Sequence, residues 1–494
     1  MDEDFPDAAS SLDLVKAGAG GNRSERAPQD FVRRATSCLQ VTTLMFRPIV
    51  AAAALTALVL QATPTVAPAQ GNTTSLGTIK PQYTRKTSKI VVLPFNVTGA
   101  SVEMDTFPRI VRNDLQLSGL FEVIEPSAAA RQILVDETAS NEFYADRWSA
   151  LSAEYVLRGM VRETPDGKFR IVVNMHDVAS GALVFNMRTF EAQKTNLRGL
   201  AHMISDAVMD STKSVEGIFQ TRLLFVSEKV RGTKEIGIMD ADGFNQAALT
   251  NYGRIATGPV WGARGGEFYF TSYHRNRAII YGQQLSLTPS FTIVPTGQAW
   301  EIAAHGGTNH SPAWSPTAGR LAVVLSKDGN SELYTTDRSG KDLRRLTTTA
   351  FTEGSPTWSP DGTRIAYTSN EAGGVHLFLM NASGGGRTRL TTRGSWNDAV
   401  SWSPKGDRVA FVSREGGTND IYTYDLTTKA YRRLTQAQGN NESPVWAPNG
   451  VHIAFSSNRS GTWQVYMMLD DGSGQMQLTS SGRNTQPDWG PGVR

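Results

Sequence analysis

Apolar residues first become sustained at Ile49–Leu60, a run preceded by Arg47 and followed by Val66-Ala67-Pro68-Ala69. A basic residue, an apolar stretch of about a dozen residues and an Ala-x-Ala end are the three parts of a secretory signal peptide. The run is shorter than the roughly 20 residues that a membrane-spanning helix needs. The pattern predicts a disordered extension over 1–44, a signal peptide over 45–69 cleaved after Ala69, and a polar, flexible tail over 70–88. Next, Lys89-Ile-Val-Val-Leu-Pro-Phe reads as a buried strand, Phe107–Leu117 as a helix, Phe121–Ile124 as a strand and Arg147–Leu151 as a short helix. Tyr155–Arg162 and Phe169–His176 read as a hairpin around Pro165-Asp-Gly-Lys, with Leu183–Glu191 as a further strand. Leu197, Leu200, Ala201, Ile204, Ala207 and Val208 share one helical face, and Thr195 or Asn196 can cap that helix. Together these predict a small mixed α/β domain over 89–219.

From Leu223 onward a longer period takes over. Trp314-Ser-Pro, Trp358-Ser-Pro-Asp-Gly, Trp402-Ser-Pro-Lys-Gly and Trp446-Ala-Pro-Asn-Gly stand 44 residues apart, with weaker copies at Trp261-Gly and Trp489-Gly-Pro. Ala322, Ala366, Ala410 and Ala454 keep the same step, as do Tyr334, Phe378, Tyr422 and Tyr466, and Leu346, Leu390, Leu434 and Leu478. Each unit reads as four short strands separated by Gly-containing turns, which is the size of a propeller blade. Second strands begin near Leu223, Phe268, Leu321, Ile365, Val409 and Ile453, and first strands end at the six tryptophans. The region opens on a second strand and ends on a first. The expectation is therefore a six-bladed all-β propeller over 220–494, closed by a strand at 484–489. The tryptophans would fill the wedges between blades.

Composition narrows the function classes. The 494 residues leave ample room for a core, and Lys+Arg of 49 against Asp+Glu of 46 gives a net charge of only +3. A nucleic-acid binder normally carries a clear basic excess, so none is expected as a partner. Cys38 is the one cysteine, which excludes an intrachain disulfide and a cysteine-based zinc site. There is no Gly-x-Ser-x-Gly nucleophile turn, no phosphate-binding loop and no His-Glu-x-x-His pair. The seven histidines are scattered, with His376 and His452 at strand starts as structural residues. Asp337, Asp425 and Asp470 end third strands and are expected to accept hydrogen bonds in the turns that follow. The expectation is no catalytic residue, no cofactor and no metal.

The small domain opening on Ile-Val-Val-Leu-Pro-Phe, the junction Val215-Glu-Gly-Ile-Phe-Gln-Thr-Arg-Leu-Leu-Phe-Val and the tryptophan repeats together resemble the TolB family of periplasmic propeller proteins, over about residues 89–494. The resemblance implies a non-enzymatic adaptor of the Tol–Pal system of Gram-negative bacteria, monomeric alone and not inserted in a membrane. Such an adaptor binds the peptidoglycan-associated lipoprotein Pal on the propeller and the inner-membrane protein TolA through its N-terminal region. It implies a role in outer-membrane integrity and in drawing that membrane inward at division. The tail at 70–88 does not visibly repeat the segment by which TolA recognises better-known members.

In the family, Pal docks over the central opening on the loops leading into the tryptophan strands. That implies Asn309, His310, Glu353, Trp396, Asn397, Asn441, Glu442 and Thr485 as its contacts here. Two alternatives stand beside this reading. One is the propeller of a hydrolase or peptidase-like enzyme, whose nucleophile turn is missing. The other is a cell-wall glycan-binding propeller, for which Trp396 is the one aromatic at a loop mouth.

Overall fold

The computed structural model describes residues 85–288 and 292–490, so the expected extension, signal peptide and most of the tail lie outside the described residues. The first part of the chain runs β1 (Ser88–Val92), β2 (Asn96–Thr98), α1 (Thr106–Leu117), β3 (Phe121–Ile124), α2 (Ala128–Ser140), α3 (Ala145–Ala150), β4 (Tyr155–Glu163), β5 (Lys168–Asp177), β6 (Leu183–Gln193) and α4 (Leu197–Lys213). Its sheet has the order β3-β1-β4-β5-β6, with β2 also pairing β4. β1 is parallel to both of its neighbours, and β4, β5 and β6 form an antiparallel meander.

β1 is covered on both faces, which explains its unbroken apolar run. On one side α1 and α4 contribute Phe107, Val111, Leu115, Leu200, Ile204 and Val208. On the other, α2 and α3 bring Ala130, Ile133 and Trp148 against Val91, Leu93 and Val156. Of the two candidate caps for α4, Asn196 serves: its Oδ1 accepts the Gly199 N–H at 3.1 Å. Helix α2 had no counterpart in the sequence reading, because its apolar residues do not gather on one face. Local chemistry delimits it instead. Ser127 Oγ accepts the Ala130 N–H at 3.1 Å at its start, and Asn141 is left-handed (φ 58°) at its end.

The rest of the described chain forms six four-stranded antiparallel sheets. Five are contiguous in sequence, with innermost strands Ala256–Trp261, Asn309–Ser315, Glu353–Trp358, Asn397–Trp402 and Asn441–Trp446; these are blades 2 to 6. Blade 1 joins Arg222–Glu228, Glu235–Asp240 and Ala247–Ala248 to the distant strand Arg483–Trp489, with Trp489 opposite Leu223 and Arg483 opposite Glu228. Consecutive innermost strands touch all the way round, so the sheets close into a six-bladed propeller.

Wedge packing accounts for the repeated residue types. Trp358 of blade 4 packs on Ala313, Ala322 and Val324 of blade 3, and its indole N–H donates to the Ala313 carbonyl at 3.1 Å. Trp261, Trp402, Trp446 and Trp489 are likewise buried, while Trp314 is half-buried. Ala322, Ala366, Ala410 and Ala454 are completely buried, where a larger side chain would overfill the layer. Asp337 and Asp425 accept N–H groups of their turns (Ser339 and Lys341; Thr427 and Thr428). Asp470 does not: it takes the side chains of Arg85 and Arg408, and Asp471 caps the turn through the Ser473 N–H.

One apolar cluster runs without interruption from α1 and α4 into blades 1 and 6 through Leu223, Phe225, Ala454, Met467 and Trp489. Two glycines mark the tightest approach. A Cβ on Gly119 would lie 3.3 Å from the Gly474 Cα, and both residues have positive φ (67° and 61°). His452 Nε2 sits 2.9 Å from the Ser118 carbonyl, and burial pushes its pKa down to about 4, which keeps the ring neutral.

Replacing Trp358 by Ala should cost about 3–5 kcal/mol, the usual penalty for emptying a large buried aromatic site. The same change at half-buried Trp314 should cost clearly less. Urea unfolding of the two variants checks the order.

Candidate docking rim at the central opening

The innermost strands share a fixed alternation. Counting back from each blade's tryptophan, the fifth residue is buried, the fourth and third are half-exposed toward the opening, and the second is buried. The third residue back is left-handed in all six: Gly258 (58°), Ser311 (51°), Ser355 (45°), Ala399 (52°), Ser443 (52°) and Gln486 (51°). Pairing with the second strand slips at the same point in every blade, for example between His310 and Ala313 and between Glu442 and Val445. An inserted left-handed residue bends a strand and re-aims its side chains. Only one of the six is glycine, so five positions hold a conformation that ordinary residues adopt at a cost.

Bonds between neighbouring blades fix the rim. Gln486 Oε1 accepts the Thr257 hydroxyl at 2.6 Å and the Gly258 N–H at 3.0 Å. Asp398 Oδ1 accepts the Ser355 hydroxyl at 2.6 Å and its neighbour Ala399 N–H at 2.7 Å. Burial raises the Asp398 pKa, and it lifts Asp488 to about 7 against the pull of the Trp261 N–H. Burial also lowers the pKa of His310, whose Nδ1 lies 2.9 Å from Ser311 Oγ. The opening thus presents carboxylates, hydroxyls, an amide and a neutral imidazole on a braced ring.

The eight expected contacts divide by position. His310, Glu442 and Thr485 are fourth-back residues, half-exposed at the opening. Glu442 is held by Asn419 Nδ2 at 2.7 Å. Asn309, Glu353, Asn397 and Asn441 are fifth-back residues, at most 1 % exposed, so their side chains are not available to a partner. The reason is the strand alternation: these side chains turn inward and brace the loop behind them. Asn309 Nδ2 donates to the His305 carbonyl at 2.9 Å, and Asn397 Nδ2 to the Arg393 carbonyl at 2.9 Å. Trp396 is half-buried, with the Arg414 guanidinium 5.2 Å from its ring centre. Thr257, Asp398 and Gln486 belong to the rim as well; the last two lie in the expected docking loops without being among the eight expected contacts. Counting four and three residues back from each tryptophan finds all of them.

Among the described residues, one group is compact enough to suggest a metal ion: Asp114, His202 and Asp242, with donor atoms within 4.8 Å of one another. It joins the α/β domain to blade 1. His202 Nδ1 is 2.8 Å from Asp114 Oδ2, which also accepts the Ser205 hydroxyl at 2.7 Å, and Arg198 pairs with Asp242. Burial raises Asp114 to about 6. His202 is raised too, because the Asp114 hydrogen bond and charge outweigh the effect of its burial. With Arg198 already on Asp242 and the imidazole on Asp114, the cluster is neutralised from within as an interdomain ion-pair network. It borders a cavity of about 690 Å³ lined by Asn196, His202, Phe219, Arg222 and Met239, among others.

The described residues form a six-bladed propeller preceded by a small α/β domain, with a braced polar rim on its innermost strands. The profile of the TolB β-propeller domain matches residues 210–417 and 396–493, and that of the TolB amino-terminal domain matches 81–184. The chain belongs to the TolB family. It is 33 % identical over 301 residues to the Tol-Pal system protein TolB of Anaeromyxobacter sp. (strain K), covering 60 % of this chain and 64 % of the relative. It is 26 % identical over 263 residues to the Tol-Pal system protein TolB of Ruthia magnifica subsp. Calyptogena magnifica, covering 52 % and 58 %. The matched stretches thus span less than two thirds of the length of these relatives. The crystal structure of TolB from Acinetobacter baumannii superimposes with a TM-score of 0.71 at 26 % identity, over 82 % of this chain and 97 % of that one.

The left-handed rim positions can be probed at Ser443. A β-branched residue there is strained, so Ser443→Val should destabilise by about 1–3 kcal/mol, while Ser443→Gly should be close to neutral. Chemical denaturation of both variants distinguishes backbone strain from loss of the hydroxyl, which both changes share.

Proposed function

We propose that the chain is a non-enzymatic periplasmic adaptor of the Tol–Pal system, receiving Pal on the rim of the propeller and linking it to TolA through the N-terminal part. In this role it supports outer-membrane integrity and the inward movement of that membrane at division. The supporting observation is the rim itself: His310, Glu442, Thr485 and Asp398 stand half-exposed around one opening, on strands locked between blades. A surface ordered before contact loses little conformational freedom on docking. A standard interface of roughly 1,200–2,000 Å² would cover an opening and its surrounding loops. Among the described residues no helix is long and apolar enough to cross a membrane. The shared family, whose relatives include Tol-Pal system proteins, favours this reading over a hydrolase propeller. The half-buried Trp396, engaged by Arg414, offers a poor stacking face for a sugar ring.

The reading is tested by capture of purified Pal on the full chain carrying His310→Ala, Glu442→Ala and Thr485→Ala together. Capture should fall at least tenfold while the melting temperature stays near wild type. Undiminished capture by the folded triple variant would remove the rim as the Pal site.

A further inference from the structure

Four blade junctions are closed by the same chemical device. Asn309, Asn397 and Asn441 open their innermost strands and Asn484 is the second residue of its own; all four are at most 1 % exposed and send Nδ2 back to the preceding blade. Their partners are the Ala278 carbonyl at 3.0 Å, His376 Nδ1 at 3.2 Å, Asp420 Oδ1 at 3.1 Å and Gln464 Oε1 at 3.0 Å. Of the other two junctions, the one between blades 1 and 2 has Ala256 at this position, and the one between blades 3 and 4 carries an acidic residue instead. There the residue is Glu353, and the group at the position matching His376, Asp420 and Gln464 is Glu332. Both are buried, and both bind Thr349: its N–H reaches Glu332 Oε1 at 2.8 Å, and its hydroxyl reaches Glu353 Oε1 at 2.8 Å. The second oxygen of each, Glu332 Oε2 and Glu353 Oε2, is buried with no hydrogen-bond partner.

An ionised carboxylate only accepts hydrogen bonds, whereas a carboxylic acid carries a donor. A protonated Glu353 therefore supplies what asparagine supplies elsewhere in the ring. We propose that Glu353 is held protonated against Glu332, and that this proton is a latch on the blade junction beside the rim, released as pH rises.

The surrounding charge supports a single proton. Arg345 is the one cation on Glu332, at 3.0 Å, and it is shared with Asp328 at 3.6 Å. Asp328 in turn accepts the Tyr334 hydroxyl at 2.5 Å. On the blade 4 side, Ser369 Oγ donates to Glu353 at 3.1 Å, and the nearby Tyr367 hydroxyl is taken by Arg387, itself paired with Glu371. No cation reaches Glu353 among these contacts. Burial, with the Glu332 charge adding to it, pushes the Glu353 pKa up to about 7.

The folded value lies above the ordinary 4.5, so the stabilising contribution is full below that pH and is lost as pH rises through about 7. Above it, two carboxylates would face each other in a dry junction. The segment from Thr349 to Ser355, which ends on the rim, is the part that would loosen.

The latch stands without any partner; only its effect on docking rests on the adaptor reading. The test compares the full wild-type chain with Glu353→Asn, which restores the residue used at four other junctions, and with Glu332→Gln. Melting temperature is followed from pH 5.5 to 8.5, together with amide hydrogen exchange over 349–355. Exchange is corrected for its intrinsic pH dependence. Wild type should lose more melting temperature across the window than either variant, because Asp114 and Asp488 titrate equally in all three. Its local opening constant should rise by up to about tenfold per pH unit as pH approaches 7, level off above that, and change less in the variants. Parallel melting curves with equal exchange in all three chains would overturn the proposal. If Glu353→Asn does not fold, Glu332→Gln carries the comparison alone. Pal capture in the same series separates the two readings: a flattened profile in the variants with wild-type capture insensitive to pH keeps the latch and counts against the rim as the Pal site.

Discussion

Closure of the ring depends on one long-range pairing, because blade 1 takes its innermost strand from residues 483–489. Without Arg483–Trp489, the ladder of Arg222–Glu228 would face the channel unpaired, and blade 1 would be three strands with an open edge. The joining strands lie more than 250 residues apart in sequence, so this contact is paid for in chain entropy and recovered only when all the intervening blades are in place. The wedge tryptophans, the fully buried alanines and the rim geometry all presuppose that circle.

Within the circle, one strand does two jobs by alternation. The fifth residue before each tryptophan is buried, and in four blades it is an asparagine that ties the junction, while the fourth is half-exposed. The left-handed residue that follows belongs to the same plan, because it slips the ladder at the same place in every blade. The α/β domain is not a loose appendage to this ring. Its core is continuous with blades 1 and 6, and Arg198, His202, Asp114 and Asp242 tie the two parts with buried charge.

The blade architecture was legible because 44-residue spacing of tryptophan, alanine and an aromatic is a strong periodic signal. The rim was legible as a set of loops but not as a set of side chains. Treating the approach to each tryptophan strand as a loop kept Asn309 and His310 together, whereas the strand already begins at Asn309, which is buried while His310 is half-exposed. The left-handed positions were hidden because Ser, Ala and Gln carry no mark of positive φ. Helix α2 was missed for want of a periodic apolar face. The cluster of Asp114, His202 and Asp242 draws on three separate elements, and nothing in their local sequence announces the meeting.

The clasp between Leu223 and Trp489 also bears on how such a protein comes into being. A chain delivered from its N-terminus presents the acceptor strand before the five contiguous blades and the donor strand after them. Until residues 483–489 arrive, the circle has a gap, and the apolar layer under Trp489 stays wet. Completion is thus reserved for a chain that already carries all the intervening blades. A product that stops before residue 483 lacks its clasp, which makes the closing strand a check on the blades that precede it.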